Sequence, residues 1–262
     1  MQFSLYQVDA FTDRLFGGNP AAVCPLEHWL PDATLQAIAA ENNLAETAFY
    51  VPEGADYALR WFTPTVEVDL CGHATLASAY VIFRGAPDRS RVAFRTLKAG
   101  TLTVSRAGDL LALDFPARPA KPAAAPTGLA AALGHPPVEV LAARDLMVVY
   151  ESAGAVAALA PDFVALAKID TFGIIATAPG DNGVDFVSRF FAPRQGLNED
   201  PVTGSSHCTL VPYWEKRLGK ARLEARQISQ RGGKLTCTHA GDRVVIAGRA
   251  VLYLEGKVNV AT

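Results

Sequence analysis

Three side chains in the first third of the chain are of the types that move protons. Glu46 enters the strand-like stretch Thr47-Ala48-Phe49-Tyr50-Val51 as a lone carboxylate among apolar neighbours. A carboxyl group withdrawn from water holds its proton more tightly than a solvated one. A general base and acid for carbon or oxygen protons needs that property, although a strand glutamate facing solvent fits the same pattern. His73, in Cys71-Gly72-His73, can donate a hydrogen bond or carry a proton near neutrality; histidines at helix starts also serve structural ends. Cys71 is a nucleophile or carbon-acid base if a helix N-terminus lowers its pKa, and a buried inert thiol otherwise. Far downstream, Asp200 in Asn198-Glu199-Asp200-Pro201-Val202-Thr203-Gly204 is a second acid, or an aspartate that turns the chain before proline.

Gly72 and Gly204 each precede an apolar helical run. Glycine lets a ligand approach the backbone closely, and the N–H groups of a helix's first turn bind anions such as carboxylates. The alternative for the second site is an ordinary N-cap at Thr203 or Ser205. A repeat favours the ligand reading. Arg60-Trp61-Phe62-Thr63-Pro64 leads to Asp69 and Gly72, and Arg189-Phe190-Phe191-Ala192-Pro193 leads to Asp200 and Gly204. The two arginines are 129 positions apart and the two glycines 132, in a chain of 262 residues. A short match of this kind can arise by chance, but the shared order of strand, proline, acid, glycine and helix points to a duplicated domain.

The elements that must position these residues follow from periodicity. Phe3 to Phe11 alternates as a half-buried strand, Gly17-Gly18-Asn19-Pro20 reads as a turn, and Ala21 to Cys24 as a short buried strand. Asp32 is placed to cap a helix carrying Leu35, Ile38 and Ala39, which ends near Asn42-Asn43. Strands are expected at Thr47–Val51 and Tyr57–Phe62, and a helix apolar nearly all round at Ala74–Phe83. Further strands are expected at Arg91–Phe94, Thr101–Ser105 and Leu110–Phe115. Residues 116–126 hold four prolines without periodicity, and 117–127 read as a linker. The half over 128–249 repeats the plan around a helix from Ser205 to about Arg217. Four short strands close the chain, ending in Ala250–Leu254 and Lys257–Val260. No regular β-α-β alternation appears, which disfavours a Rossmann-type sheet.

Half the residues are hydrophobic and 19% charged, enough for a sizeable core and unlike a disordered chain. The net charge is −2 and the basic residues form no runs, so nucleic acid and anionic membrane surfaces are not expected partners. No apolar stretch reaches the ~20 residues that span a bilayer, and Met1-Gln2-Phe3-Ser4-Leu5 reads as a strand rather than a secretory signal. Cys24, Cys71, Cys208 and Cys237 form no Cys-x-x-Cys pair, so a disulfide framework is not expected and a reducing cytoplasm is. The histidine spacing predicts no structural zinc. Motifs for a P-loop, a Rossmann glycine loop and a serine-hydrolase elbow are absent.

Four segments taken together resemble the PhzF-like (phenazine biosynthesis-like) family over essentially the whole chain. They are Gly18-Asn19-Pro20-Ala21-Ala22-Val23, Asn43-Leu44-Ala45-Glu46-Thr47-Ala48-Phe49, Asp69-Leu70-Cys71-Gly72-His73-Ala74-Thr75 and Glu199-Asp200-Pro201-Val202-Thr203-Gly204-Ser205-Ser206-His207. The resemblance implies an α+β, diaminopimelate-epimerase-like fold of two pseudo-symmetric halves, each a curved, mainly antiparallel sheet around a central helix, with the active site between them. It implies halves at 1–116 and 128–249, with the last strand, near 250–262, joining the first. It also implies a homodimer and cofactor-free isomerase chemistry on a small carboxylate-bearing substrate. Glu46 matches the family's catalytic glutamate, with His73 and Asp200 as its catalytic partners. Asn19, Gly72, Gly204 and Ser205 fall at substrate-binding positions, and no metal is implied. Glu46 would take a proton from an activated carbon and return it elsewhere on the same conjugated system, as in the dihydro-hydroxyanthranilate isomerisation of the phenazine pathway.

Ala45 departs from the serine that phenazine-pathway members carry beside the glutamate, and Cys71 and Ala74-Thr75 differ from that subgroup as well. The phenazine intermediate is therefore not the expected substrate. Two rivals remain: a two-base racemase or epimerase using Cys71, and a binding protein that kept the residues and lost turnover. Asp200 to Ser205 holds no second cysteine, which counts against the first.

Overall fold

Strand pairing follows the same plan twice along the chain. The computed structural model describes residues 1–260, which fall into two compact units. The first comprises Met1–Asp114 and the stretch that begins at Ala247; the second is Phe115–Ile246.

In the first unit, β1 (Gln2–Ala10) pairs antiparallel with β2 (Asn19–Pro25), and β2 runs parallel to β3 (Glu46–Glu53). β3 forms a hairpin with β4 (Asp56–Phe62), which pairs antiparallel with the two-residue β5 (Glu67–Val68) and parallel with β6 (Arg91–Arg95). β7 (Thr101–Ala107) and β8 (Leu110–Pro116) complete the meander. Helix α2 (Gly72–Gly85) lies against β1, β2 and β3 and is buried along most of its length, as expected of a helix apolar nearly all round. Helix α1 (Asp32–Asn42) packs Leu35, Ile38 and Ala39 with Cys24, Phe49 and Val51 in a separate core. Fully burying each large apolar side chain there contributes about 1.5–3 kcal/mol.

The second unit reproduces this order. β10 (Glu139–Ala142) pairs antiparallel with β11 (Leu146–Val149), which runs parallel to β12 (Ile174–Pro179). β12 forms a hairpin with β13 (Phe186–Ala192), which pairs antiparallel with β14 (Leu197–Asp200) and parallel with β15 (Arg222–Gln227). β15 pairs antiparallel with β16 (Gly233–Ala240). Helix α6 (Gly204–Leu218) stands between β14 and β15 in sequence, just as α2 stands between β5 and β6. The mixed α+β architecture, with each half's strands curling around one helix, is the fold class the motifs imply.

The repeated arginine explains why its surroundings recur. Arg60 donates through Nε and Nη2 to the two carboxylate oxygens of Glu67, both at 2.7 Å, and through Nη1 to Asp32 at the start of α1. Arg189 makes the same fork with Glu199 at 2.7 and 2.9 Å, and its Nη1 donates to the carbonyls of Val156 and Leu159. Each guanidinium also lies over the motif's Phe, with its carbon 5.1 Å from the Phe62 ring centre and 4.9 Å from that of Phe191. The partners are thus Glu67 and Glu199, not Asp69 and Asp200. Register confirms the offset, since Trp61 faces Val68 where Phe190 faces Asp200. Asp69 is exposed and bound to Lys98, whereas Asp200 is buried.

Several expectations need correction. Asn19-Pro20 belongs to β2 rather than to a turn; only Gly18 requires special backbone, since at φ +64° an added Cβ would lie 2.1 Å from the Ala10 carbonyl. Asp32 does not cap α1, because Pro31 occupies the N-cap and the Asp32 carboxylate goes to Arg60. The chain closes with one ten-residue strand, β18 (Ala250–Asn259), where two short ones were expected; it pairs along β1 in the first unit. Residues 261 and 262 of the expected 250–262 segment lie outside the described residues.

The supposed linker 117–127 is built into the second unit, whose boundaries fall at 115 and 246 rather than at 128 and 249. β9 (Lys121–Pro122) pairs with β10, and Ala123 N–H donates to the Val140 carbonyl. The short helix α3 (Leu129–Leu133) follows directly. Pro212, inside α6, lacks the N–H that would bond the Cys208 carbonyl four residues back. Arg118 N–H supplies that bond at 2.8 Å.

Two variants test these contacts by urea unfolding. Arg189→Lys keeps the charge but not the two-pronged fork, and is expected to cost about 2 kcal/mol. Arg118→Pro leaves the Cys208 carbonyl unmet and is expected to cost ~1–3 kcal/mol. A free linker would tolerate that change without loss.

Candidate active site

In the first unit the ends of three elements converge. Helix α1 ends at Asn43, which adopts the left-handed conformation (φ 49°) and returns its N–H to the Ala39 carbonyl, turning the chain toward β3. Glu46 is the first residue of β3, and Asn19 the first of β2, the parallel neighbour. Cys71 occupies the N-cap of α2, followed by Gly72 and His73 in its first turn. No side chain caps this helix start.

His73 is the hub. Its ring is buried, with Nε2 at 3.1 Å from Glu46 Oε2 and Nδ1 at 3.2 Å from Asn19 Nδ2. When the ring is neutral, the Asn19 amide N–H donates to Nδ1, which leaves the ring proton on Nε2, facing Glu46. Cys71 Sγ lies 3.5 Å from Nδ1. Glu46 keeps 18% side-chain exposure, yet Oε2 is shielded from solvent and meets Nε2 at ion-pair distance without an aligned hydrogen bond.

Charges in this cluster are coupled. Burial pushes the Cys71 thiol up to about 11, with the Glu46 charge adding to the effect and His73 opposing it. At neutral pH Cys71 is therefore a thiol. Burial disfavours a charged His73 ring, but Cys71 and Glu46 outweigh it and hold His73 well above the ordinary histidine range.

The second unit has a different set. Asp200 ends β14, buried, and accepts a hydrogen bond from the Thr203 hydroxyl. Thr203 stands at the N-cap of α6, but its side chain turns back to Asp200 and caps nothing. Gln227 holds the turn: its Oε1 accepts from Thr203 N–H at 2.8 Å, and its Nε2 donates to the Asp200 carbonyl at 2.7 Å. Gly204 begins the helix, and the hydroxyl of Ser205 accepts from Arg144 at 3.2 Å. Arg144 is held by the buried Asp145 and lies 4.4 Å above the Phe172 ring centre. His207, one turn along, donates from Nδ1 to the Thr203 carbonyl, and burial lowers its pKa to about 4.

The structure therefore gathers Asn19, Glu46, Gly72 and His73 around one imidazole, and Asp200, Gly204 and Ser205 around one helix start. Arg144 and Gln227 went unnoticed in the sequence. They lie 61 and 24 residues from their partners Ser205 and Thr203, and no local pattern marks them. Histidine spacing likewise missed that the ligand-type atoms of Glu46, Cys71 and His73 all lie within 4.8 Å of one another. No helix among the described residues is long and apolar enough to cross a membrane.

A family model described as phenazine biosynthesis-like protein matches residues 8–256. An uncharacterised isomerase of Pseudomonas aeruginosa is 54% identical over 259 residues, covering 99% of this chain and all of that protein. A crystal structure of a PhzF-family phenazine biosynthesis protein from Enterococcus faecalis superposes with a TM-score of 0.96 at 48% identity, over 99% of this chain and 100% of that one. A hydroxyproline epimerase from Agrobacterium vitis shares the fold, with a TM-score of 0.61 at 13% identity over 98% of this chain and 92% of that one.

The coupling around His73 can be measured by NMR titration of its ring. Its pKa is expected above the unfolded value near 6.5, and Glu46→Gln is expected to lower it by removing the anion. A raised folded pKa stabilises the protein fully below the unfolded value and ceases to do so as pH rises through the folded one. Wild type should therefore lose stability across that rise, and Glu46→Gln should lose less.

Proposed function

Because the chain belongs to the phenazine biosynthesis-like protein family, we propose that it is a cofactor-independent isomerase that relocates a proton on a small carboxylate-bearing substrate. Glu46 is the general base and acid. The observation that carries this reading is the shielded Oε2 of Glu46 facing a proton-bearing Nε2 of His73 at 3.1 Å. Glu46 takes a proton from an activated carbon and returns it at another position of the conjugated system. His73 steadies the carboxylate and shuttles the proton, and Asn19 holds the ring in the matching tautomer. The uncapped first turn of α2, beginning at Gly72, offers N–H groups to the negative charge that develops.

In the second unit, Gly204, Ser205 and the guanidinium of Arg144 suit a carboxylate, and Asp200 suits an amine or hydroxyl group. Ala45 has no hydroxyl to contribute, which points away from the phenazine intermediate itself. Isomerase names among the relatives support the reaction class in general. A two-base epimerisation through Cys71 is the weaker reading, because a thiol with a pKa near 11 is a poor resting base. We also propose a homodimer, cytoplasmic and biosynthetic, on the family resemblance.

Incubation in D2O with a panel of amino- and hydroxy-cyclohexadiene carboxylates, read by NMR, tests the reading. Wild type should incorporate deuterium into at least one compound, and Glu46→Gln should reduce the rate by about 10²–10⁴. Loss of exchange in Cys71→Ser with Glu46→Gln still active overturns the assignment in favour of the thiol. No Glu46-dependent exchange across the panel favours a binding protein.

A further inference from the structure

The duplicated half supplies a control for one feature of the first unit. Counted from the repeated arginines, Leu59 corresponds to Ser188; one residue past the paired Arg95 and Arg226, Thr96 corresponds to Gln227. In the second unit β13 stays paired with β15 as far as Ser188, and Phe190 already faces Asp200 on β14. Gln227 closes the fork between those two partner strands by bonding Thr203 N–H and the Asp200 carbonyl. In the first unit β4 leaves β6 after Ala58 and meets β5 at Trp61, so Leu59 and Arg60 lie between the partners. Thr96 is shorter than glutamine, and its hydroxyl turns away to the Gly100 carbonyl at 2.8 Å.

A surface cavity of about 160 Å³ opens where that bridge is missing. Trp29, Leu59 and Leu97 give it apolar walls, and Arg60 and Arg95 border it. Trp29 and Leu97 are exposed, so both hold apolar surface that a ligand would remove from water. The Arg60 guanidinium lies 5.4 Å from the Trp29 ring centre and is committed to Glu67 and Asp32. Arg95 holds the exposed Glu53 through Nε and Nη2, which leaves Nη1 to a ligand. No carboxylate is among the described residues that line the cavity.

We propose that this cavity binds a small aromatic carboxylate, with its ring against Trp29 and Leu97 and its charge on Arg95. Two arginines without a lining acid select an anion. The exposed indole and leucine select a flat apolar body. The volume is below the ~300 Å³ of pockets for drug-sized ligands, which suits a single ring. Such a ligand joins the strands around the first fork, as the Gln227 side chain does around the second. The proposal does not depend on the isomerase reading.

Titration of the full, ¹⁵N-labelled chain with benzoate, followed by NMR, tests it. One molecule per chain is expected, with saturable shifts at the Trp29 indole N–H and at the Thr96 and Leu97 amides. Benzamide keeps the ring and loses the charge, and should bind roughly tenfold more weakly; Arg95→Gln should weaken benzoate binding by a similar factor. Thr96→Gln puts the bridging residue of the second unit into the first, and should abolish the shifts while the thermal transition is retained. No saturable shift at these residues overturns the proposal, as do shifts confined to Gly72 and Ser205, which would place benzoate at the helix starts. Equal affinity for benzamide, or undiminished affinity in Arg95→Gln, overturns the anion site. Should Thr96→Gln not fold, Trp29→Ala takes its place, and unaltered benzoate binding there is equally decisive against the site.

Discussion

Each unit depends on one planar guanidinium held by a carboxylate fork. Arg60 and Arg189 sit on the strand that leads into the turn before the central helix. Each bonds the glutamate of the short returning strand, Glu67 or Glu199, through two parallel contacts. The third guanidinium nitrogen reaches back to the preceding helical layer, at Asp32 in one case and at the Val156 and Leu159 carbonyls in the other. Only arginine offers that many donors in a fixed plane. The fork fixes where the returning strand ends, and that end is where the helix start and its chemistry begin.

On this common frame the two helix starts diverge. Cys71-Gly72-His73 brings an imidazole to Glu46, whereas Thr203-Gly204-Ser205 brings hydroxyls to Asp200 and Arg144. Burial works against a charged ring at both histidines, and their neighbours decide the outcome. Cys71 and Glu46 keep His73 above its ordinary pKa, while the Thr203 carbonyl does not offset burial at His207, which falls to about 4. The second residue of α2 and the fourth of α6 are thus both buried histidines whose pKa values their neighbours drive apart.

Local patterns revealed most elements because each is periodic or punctuated. The apolar runs of α2 and α6, the hairpins and the left-handed turn at Gly18 are short-range consequences of side-chain size and backbone freedom. Proline composition misled at 117–127. Proline marks the absence of regular pairing at its own N–H, not the absence of contacts at its neighbours, and Arg118 N–H goes to a carbonyl that another proline had vacated. Asp32 misled in the same way, as a good capping type drawn off by a stronger partner.

The sequence by itself determined the duplication, the α+β class and the candidacy of Glu46, His73 and Asp200, because residue type and spacing carry those. Only the tertiary structure decided that Glu67 and Glu199 are the arginines' partners, that Asn19 sets the His73 tautomer, and that Arg144 and Gln227 serve the second helix start. Pairings across tens of residues leave no periodic trace in the chain. Strand register and burial create them, by bringing distant groups within hydrogen-bonding distance and removing the water that would otherwise satisfy them.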